Sequence, residues 1–355
     1  MPTKRNVPPA KAGAAAAASS RPQMSDIARL AGVSTATVSR ALNGSRLVNE
    51  GTRLRIAELA QSLNYTINVG AQSLRLGQNN TVSVIIPFDP VTREHLSDPF
   101  FLALIGSIAD ALTESGFEML LSRVDAARLD QAALHFDTGR AMGVVMVGQW
   151  HHHDQLNAMA LRGIPFVVWG AQLPRQLYAT VGSDNLGGGR QATDYLLNQG
   201  ARRIAFLGDP DLPEIGLRHG GYVAAHEARG LAPDRALTRR VPFVQEAIEK
   251  EVRALAKLAR PIDAIFASSD LTAMTAVNTL RRLGKEVPRD VAVVGYDDIP
   301  LAAYFHPALT TVRQPMPAAG RAIVEALEAQ LAGEAPRAYL LPTELIARES
   351  AGPGR

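Results

Sequence analysis

The sequence of 355 residues contains no cysteine, and its hydrophobic runs are short. Without cysteine, disulfide bonds, thiolate metal sites and cysteine nucleophiles are excluded. The longest apolar runs, such as IPFVVWGA, have the length of a strand and are interrupted by glycine or proline. A membrane-spanning helix needs about 20 apolar residues, so we expect no membrane partner.

The sequence also lacks a recognisable catalytic, cofactor or metal site. The adjacent histidines His151–His153 point in different directions and precede loop-like residues, which argues against a metal ion. The glycines Gly187–Gly189 lack the spacing of a phosphate-binding loop. No nucleophile, base and acid stand out as a set, so we expect a protein with no enzymatic activity, no cofactor and no metal.

The charge is concentrated at one end of the chain. Residues 1–78 carry ten Lys and Arg against three Asp and Glu, a balance of +7, which leaves −4 for residues 79–355. Residues 1–23 are predicted to be a flexible basic tail rather than a secretory signal, because their apolar tract is nearly pure alanine. A small basic module beside a larger body is typical of a protein that binds a polyanion at that end, with a solvated basic arm as the alternative.

Residues 24–67 are predicted to form a helix-turn-helix domain. In MSDIARLAGVSTATVSRALNG, Gly32 provides the positive φ of a tight turn, and Ser34 is placed to cap a second helix over Thr35–Leu42. The outward face of this helix is small and polar, as the major groove requires, and it consists of Thr35, Ala36, Thr37, Ser39 and Arg40. A third helix, capped by Asn49, has an apolar stripe that covers the first two. DNA binding explains this pattern better than a generic three-helix bundle.

The segments DIARLAGVSTATVSRALNG and TRLRIAELAQSLNY resemble the headpiece of the LacI/GalR family of bacterial transcription regulators. The resemblance implies base contacts from Thr35 and Ala36. It implies further DNA contacts from Ser34, Thr37, Ser39, Arg40, Asn43, Thr52 and Arg53. Where the family commonly has a capping threonine, this chain has Gln23, which leaves the start of the first helix open.

The same family has a hinge helix that folds on DNA, and residues 68–78 match it. The resemblance assigns Leu74 as the minor-groove wedge, with Asn68 and Ala71 on the same hinge. The chain departs from the family at Ile67, which replaces a proline, and at Gly70, which disfavours a helix. A plain linker is therefore the alternative.

Residues 79–348 are predicted to form an α/β body. From Val82 onward, apolar strand-length runs alternate with amphipathic segments, which is typical of parallel sheets. The family resemblance continues through GSDNLGGGRQATDYLLNQGARRIAFLGD and VAVVGYDDI. It implies a body like a periplasmic binding protein, with two parallel α/β subdomains, 80–182 with 310–338 and 183–309 with 339–348. The crossovers are expected near 182, 310 and 339, and residues 349–355 form a tail.

The resemblance also implies a ligand cleft between the two subdomains. Arg218 matches the ligand-facing arginine of the family, and Asp297 ends a strand at the edge where open α/β sheets bind ligands. The other predicted ligand-binding residues are Asp98, Phe100, Phe101, Trp169, Ser269 and Asp270. Ser269 stands where many members have asparagine, so no particular sugar specificity transfers. For each aromatic residue, a role in the core is the equal alternative.

Together these features predict a cytoplasmic, homodimeric transcription regulator that acts as a repressor. Its partners are expected to be a palindromic double-stranded DNA operator and a small-molecule effector, a carbohydrate, bound in the cleft. Two headpieces are expected because one buries too little surface for tight binding. The alternatives are a non-sugar metabolite acting as corepressor, a periplasmic sugar-binding protein, which leaves residues 24–78 unexplained, and an α/β enzyme acting on sugars.

Overall fold

The computed structural model describes residues 22–42, 44–63, 65, 79–89 and 96–352. The chain divides into two compact units, residues 1–78 and 79–355. Asn43 and the three predicted hinge contacts Asn68, Ala71 and Leu74 lie outside the described residues. None of the helices in the described ranges is long and apolar enough to cross a membrane.

The first unit contains three helices, which are α1 (Met24–Ala31), α2 (Thr35–Leu42) and α3 (Glu50–Ser62). Helix α1 begins directly after Gln23, whose amide donates to Asp26 Oδ2 at 2.9 Å. The predicted turn is confirmed, because Gly32 has φ of 65° and Ser34 Oγ accepts from the Thr37 amide at 3.1 Å. Asn49 caps α3 by accepting from the Thr52 amide at 2.8 Å.

A small apolar core holds these three helices together. Ile27, Val38 and Ile56 are fully buried, and Val33 packs against this cluster from the turn. Arg55 Nη2 also donates to the carbonyl oxygen of Ala31 at 2.6 Å, where α1 has no helical donor left. The core fixes α2 in place and leaves its other face exposed.

The second unit contains two six-stranded sheets covered by helices on both faces. The first sheet has the strand order β11-β5-β4-β3-β1-β2 and is parallel throughout. Its strands are β1 (Thr81–Phe88), β2 (Glu118–Asp125), β3 (Gly143–Val147), β4 (Phe166–Trp169), β5 (Ala179–Ser183) and β11 (Ala338–Leu341). Its helices are α4 (Pro99–Glu114), α5 (Leu134–Asp137), α6 (His153–Leu161) and α12 (Met316–Leu331).

The second sheet has the strand order β12-β10-β9-β8-β6-β7, in which only the β10–β12 pair of the described strands is antiparallel. Its strands are β6 (Ile204–Leu207), β7 (Thr238–Arg239), β8 (Ala264–Ala267), β9 (Ala292–Asp297), β10 (Thr310–Arg313) and β12 (Glu344–Ile346). Its helices are α7 (Asn185–Asn198), α8 (Pro213–Glu227), α9 (Gln245–Ala256), α10 (Asp270–Arg282) and α11 (Pro300–Tyr304).

Burial on both faces explains why the strands are continuously apolar. In β1, Val84 and Ile86 pack against α4 and α12, whereas Ile85 packs on the opposite face with Leu156 of α6. Successive side chains of a strand point to opposite faces, so a doubly covered sheet needs apolar residues at every position. The predicted α/β body with two parallel-dominated subdomains is confirmed.

The crossovers between the two sheets occur slightly later than predicted. The chain leaves the first sheet after Ser183, returns to it after Arg313 and leaves it again after Leu341. Strand β10 causes the largest difference, because it pairs with β9 in the second sheet, with Arg313 opposite Asp297. Residues 310–313 therefore belong to the second subdomain and not to the first.

The glycines Gly187–Gly189 are a packing feature. They lie in the first turns of α7, where it packs against α8. A Cβ on Gly189 would overlap the carbonyl oxygen of Arg218, and one on Gly221 would overlap the carbonyl oxygen of Leu186. The close approach of these helices positions Arg218.

Candidate functional site

The exposed face of α2 carries the side chains predicted to contact DNA. Thr35, Ala36 and Arg40 are exposed, and Thr37 and Ser39 are half-buried. Ser34 is exposed as well, and its hydroxyl caps the helix as predicted and lies 2.9 Å from Thr37 Oγ1. The hydroxyls and the arginine on this face can all form hydrogen bonds with base edges or phosphates.

The two residues predicted to approach phosphate lie in the first turn of α3. Thr52 donates its amide to the Asn49 cap, and Arg53 Nη2 is 3.4 Å from Glu50 Oε1. Both side chains are half-buried, so part of each is accessible at the surface of the unit. A cation and a helix N-terminus together favour contact with an anionic group.

A cavity of about 800 Å³, including its open mouth, lies between the two sheets of the second unit. Seven of the eight predicted ligand-binding residues line it, and these are Asp98, Phe100, Phe101, Trp169, Arg218, Ser269 and Asp297. The sequence-based prediction missed Val147, Gly148, Trp150, Leu212, Glu214, Ile215 and Phe243, which line it as well. The cavity thus combines aromatic surface with one cation and three carboxylates.

Arg218 is the best-anchored polar group of the cavity. Its Nε donates to Asn185 Oδ1 at 2.8 Å, and its Nη1 donates to the carbonyl oxygen of Ser268. The guanidinium lies over the ring of Tyr296, 3.8 Å from the ring centroid, and Nη1 is 3.9 Å from Asp297 Oδ1. Stacking and hydrogen bonds fix the plane of the guanidinium, which leaves one edge to face a ligand.

Asp297 faces the cavity from the end of β9 in a left-handed conformation, with φ of 120°. It accepts from Gln314 Nε2 at 2.7 Å, which ties the end of β9 to the crossover before α12. Burial raises the pKa of Asp297 above its usual range, while Arg218 beside it acts in the opposite direction. A non-glycine residue with positive φ beside a cavity is typical of a functional position.

Asp270, which was predicted to contact the ligand, does not line the cavity. Its carboxylate is fully buried and is absent from the cavity lining. It accepts from the Ile299 amide at 2.8 Å and from the Thr311 hydroxyl. Burial raises the pKa of Asp270. The hydrogen bond from Thr311 fastens β10 to α10 behind the site.

The first wall of the cavity begins at the N-terminus of α4. Asp98 caps this helix by accepting from the Phe100 amide at 2.9 Å, and burial raises its pKa. Phe100 and Phe101 follow it, with ring centroids 5.5 Å apart in an edge-to-face arrangement. Pro99 at the first helical position fixes this turn, and the proline-started turn presents both rings to the cavity.

Glu214 enters the cavity from α8, one turn before Arg218. Burial raises its pKa, which backbone amides and Arg218 counteract. A Cβ on Gly170 would lie 3.0 Å from Glu214 Oε1, so this glycine leaves room for the carboxylate to reach the opposite subdomain. Residues four apart share a helix face, so the assignment of Arg218 could have identified Glu214 once the helix start at Pro213 was known.

Trp150 was missed although it follows the end of β3, where ligands of parallel sheets bind. It has φ of 51°, and the preceding Gln149 is fully buried. Gln149 Nε2 donates to the Ala171 carbonyl at 2.6 Å, and its Oε1 accepts from the Ala171 amide at 2.9 Å. This pair of hydrogen bonds fixes the position of Gln149 and thereby stabilises the positive φ of the neighbouring Trp150.

Among the three adjacent histidines, His153 has hydrogen-bond partners within the protein. His153 Nδ1 is 2.8 Å from the Tyr178 hydroxyl, and its Nε2 is 3.2 Å from Asn157 Nδ2. Over the described residues, no group of three or more His, Asp or Glu side chains is placed to hold a metal ion. His153 is therefore a packing and hydrogen-bonding residue of α6.

Comparison with known proteins identifies the family of the chain. Residues 23–68 match the model of bacterial regulatory proteins of the lacI family, and residues 193–351 match a periplasmic binding protein-like domain. The chain is 34% identical over 336 residues to the HTH-type transcriptional regulator CelR of Thermobifida fusca, which covers 93% of this chain and 98% of that protein. It is 31% identical over 337 residues to the HTH-type transcriptional repressor CytR of Escherichia coli strain K12, which covers 92% of this chain and 95% of that protein.

Solved structures agree with these matches. The CelR–cellobiose complex superposes with a TM-score of 0.69 at 33% identity and covers 93% of this chain and 100% of that chain. The lac repressor dimer bound to operator and the anti-inducer ONPF superposes with a TM-score of 0.83 at 22% identity and covers 94% of this chain and 99% of that chain. The resemblance noted in the sequence is confirmed, and the chain belongs to the LacI family of bacterial transcription regulators.

Proposed function

We propose that a carbohydrate bound in the cavity controls the affinity of this regulator for DNA. The observation that carries the proposal is the pairing of aromatic faces with buried, hydrogen-bonded charges in one cavity between two subdomains. Sugars present C–H faces that pack on aromatic rings and hydroxyls that bond with carboxylates and guanidinium groups. Trp150 and Trp169 offer such faces, and Arg218, Asp98 and Asp297 offer such polar partners.

Cellobiose is the first ligand to test, because the solved CelR complex that resembles this chain contains it. Ser269 also lines the cavity and caps α10 by accepting from the Thr272 amide at 3.2 Å. The Ser269 hydroxyl also donates to Thr272 Oγ1 at 2.9 Å, so it reaches less far into the cavity than the asparagine of many family members would.

The DNA-binding part of the proposal rests on α2. Its exposed residues Thr35, Ala36 and Arg40 would read the major groove, and Thr52 and Arg53 would contact phosphate. One three-helix unit buries too little surface for tight binding, so we propose a homodimer on a palindromic operator. The protein would act in the cytoplasm, where its DNA lies, and it would repress rather than catalyse, as its relatives are regulators.

Regulation requires that the sugar bind two arrangements of the subdomains with unequal affinity. The cavity walls come from both subdomains, since Asp98 precedes α4 of the first and Arg218 belongs to α8 of the second. A ligand that contacts both walls favours the arrangement in which they are close. This bias is the proposed signal to the headpieces.

Intrinsic fluorescence tests the sugar proposal directly. The chain contains two tryptophans, and both Trp150 and Trp169 line the cavity. A panel of mono- and disaccharides that includes cellobiose should contain a sugar that changes the emission saturably and raises the melting temperature. Trp150→Phe should reduce the fluorescence change, whereas Tyr304→Phe, at an exposed position outside the cavity lining, should leave it unchanged. If no sugar changes either the emission or the melting temperature, the carbohydrate proposal is wrong.

A further inference from the structure

We infer that the cavity selects uncharged or cationic sugars and rejects anionic ones, so that the effector carries neither a phosphate nor a carboxylate. This inference rests on the proposed sugar site and names the class of sugar. It follows from the balance of charges in the cavity, the use already made of its single cation, and the way in which the helices that begin there are capped.

The described lining residues carry more negative than positive charge. Asp98, Glu214 and Asp297 are acidic, and Arg218 is the single basic residue among them. The carboxylates lie on both walls, since Asp98 belongs to the first subdomain and the other two to the second. An anionic ligand between these walls would face like charges on either side, and like-charge contacts in a desolvated site weaken binding strongly.

Arg218 does not provide surplus positive charge for an anion. Two of its nitrogens already donate to Asn185 and to the Ser268 carbonyl, and its face is stacked on Tyr296. Its charge is balanced by Asp297, 3.9 Å away. The remaining N–H groups can donate to a ring oxygen or a hydroxyl, which needs no net charge on the ligand.

The helix N-termini at the cavity are occupied by the protein's own carboxylates. A helix N-terminus commonly binds phosphate through its free amides. Here Asp98 caps α4 through the Phe100 amide, and Glu214 occupies the first turn of α8. The third helix, α10, is capped by Ser269 and carries Asp270 in its first turn. Two of the three helix N-termini at the cavity therefore already carry a carboxylate, and the third is capped by the Ser269 hydroxyl.

The carboxylates are suited to a neutral or cationic ligand instead. Burial raises the pKa of Asp98, Glu214 and Asp297, which means that the cavity already disfavours the negative charge it contains. Sugar hydroxyls can donate hydrogen bonds to these carboxylates and so replace the hydrogen bonds from water that the carboxylates lose when the ligand binds. An ammonium group on the ligand would in addition offset part of the net negative charge of the cavity.

Matched sugars measure the selectivity. The full-length protein is titrated with cellobiose, cellobiose 6′-phosphate and cellobiuronic acid, and with glucose, glucose 6-phosphate, glucuronate and glucosamine, by tryptophan fluorescence and calorimetry at fixed ionic strength. We expect each anionic sugar to bind on the order of 100-fold more weakly than its neutral parent, and glucosamine to bind at least as tightly as glucose. If an anionic sugar binds as tightly as its neutral parent, the inference is wrong and the sugar site stands. If none of the seven binds, the sugar site fails and the inference fails with it.

Two glutamate variants separate charge from shape. Glu214→Gln keeps the size of the side chain and removes one cavity charge, so the ratio of anionic to neutral Kd should narrow by about tenfold. Glu227→Gln removes the same charge from an exposed position at the other end of α8 and should leave the ratio unchanged. If Glu214→Gln and Asp98→Asn both retain the wild-type ratio, the discrimination is steric and the electrostatic inference is overturned.

Discussion

Replacing Arg218 with methionine removes the single cation among the described residues of the cavity and keeps a long unbranched side chain. Arg218 is 7% exposed, so water cannot replace its contacts freely. Methionine leaves the carbonyl oxygens of Asn185 and Ser268 without this donor, and it removes the guanidinium beside Asp297. The variant should therefore weaken both sugar binding and the stability of the body.

The two effects can be estimated from these contacts. A lost hydrogen bond to a charged group weakens binding by about 1.5–3 kcal/mol, which corresponds to a roughly 10- to 150-fold higher Kd for the sugar. Each of these two buried acceptors without a donor costs about 1–3 kcal/mol, so the free energy of unfolding should fall by roughly 2–6 kcal/mol. At about 2–4 °C per kcal/mol for a body of this size, the melting temperature should fall by roughly 4–24 °C.

Calorimetry with the sugar from the panel and thermal unfolding measure both quantities. Arg229→Met is the matched control, because Arg229 follows the same helix and contacts Asp194 and Asn198 at the surface. Its Kd for the sugar should equal that of the wild type. Arg218→Lys should recover only part of the affinity, since lysine restores the charge without the planar fork. Wild-type affinity and stability in Arg218→Met would refute the anchoring role given to this arginine.

Four further changes test separate parts of the structure. Arg40→Ala should abolish specific DNA binding and leave the sugar titration unchanged, because Arg40 projects from the exposed face of α2; a mobility-shift titration at fixed salt measures this. Asn49→Ala should lower the stability of the first unit by about 1 kcal/mol by removing the cap of the Thr52 amide, and Asn49→Ser should restore most of it in hydrogen-exchange measurements. Gly189→Ala should destabilise the body by about 1–3 kcal/mol in urea unfolding, because the new Cβ overlaps the Arg218 carbonyl; an equal midpoint would contradict the close helix packing. The melting temperature of Glu214→Gln relative to the wild type should rise as the pH increases above 4.5, because a raised pKa gives stability that is lost as the carboxyl ionises; a pH-independent difference would show that Glu214 is not desolvated.

Much of the first unit could be predicted because its signals are local. A positive φ at Gly32, a cap at Ser34 and a cap at Asn49 each involve residues within one turn of the helix they limit. The apolar stripes of the three helices then determine which faces meet. For the same reason, the alternation of strands and helices in the body was sufficient to predict its fold class.

The parts that were not predicted depend on contacts between residues distant in sequence. Asp270 begins a helix at the end of a strand, as a ligand-binding residue often does, yet its carboxylate turns to Thr311, 41 positions away. Trp150 enters the cavity because Gln149 is hydrogen-bonded to Ala171, 22 positions away and just after the end of β4, which no local pattern indicates. The late crossover after Arg313 likewise follows from the pairing of β10 with β9.

The central claim is that a sugar in the cavity changes the affinity for DNA. The direct measurement is the Kd of the full-length protein for a palindromic duplex selected from a randomised library, with and without a saturating concentration of the sugar found by tryptophan fluorescence. We expect a change in this Kd of about 5- to 150-fold, the usual size of allosteric coupling, and a smaller change in Arg218→Met at the same sugar concentration. A sugar that saturates the cavity and leaves the Kd for the duplex unchanged would contradict the claim.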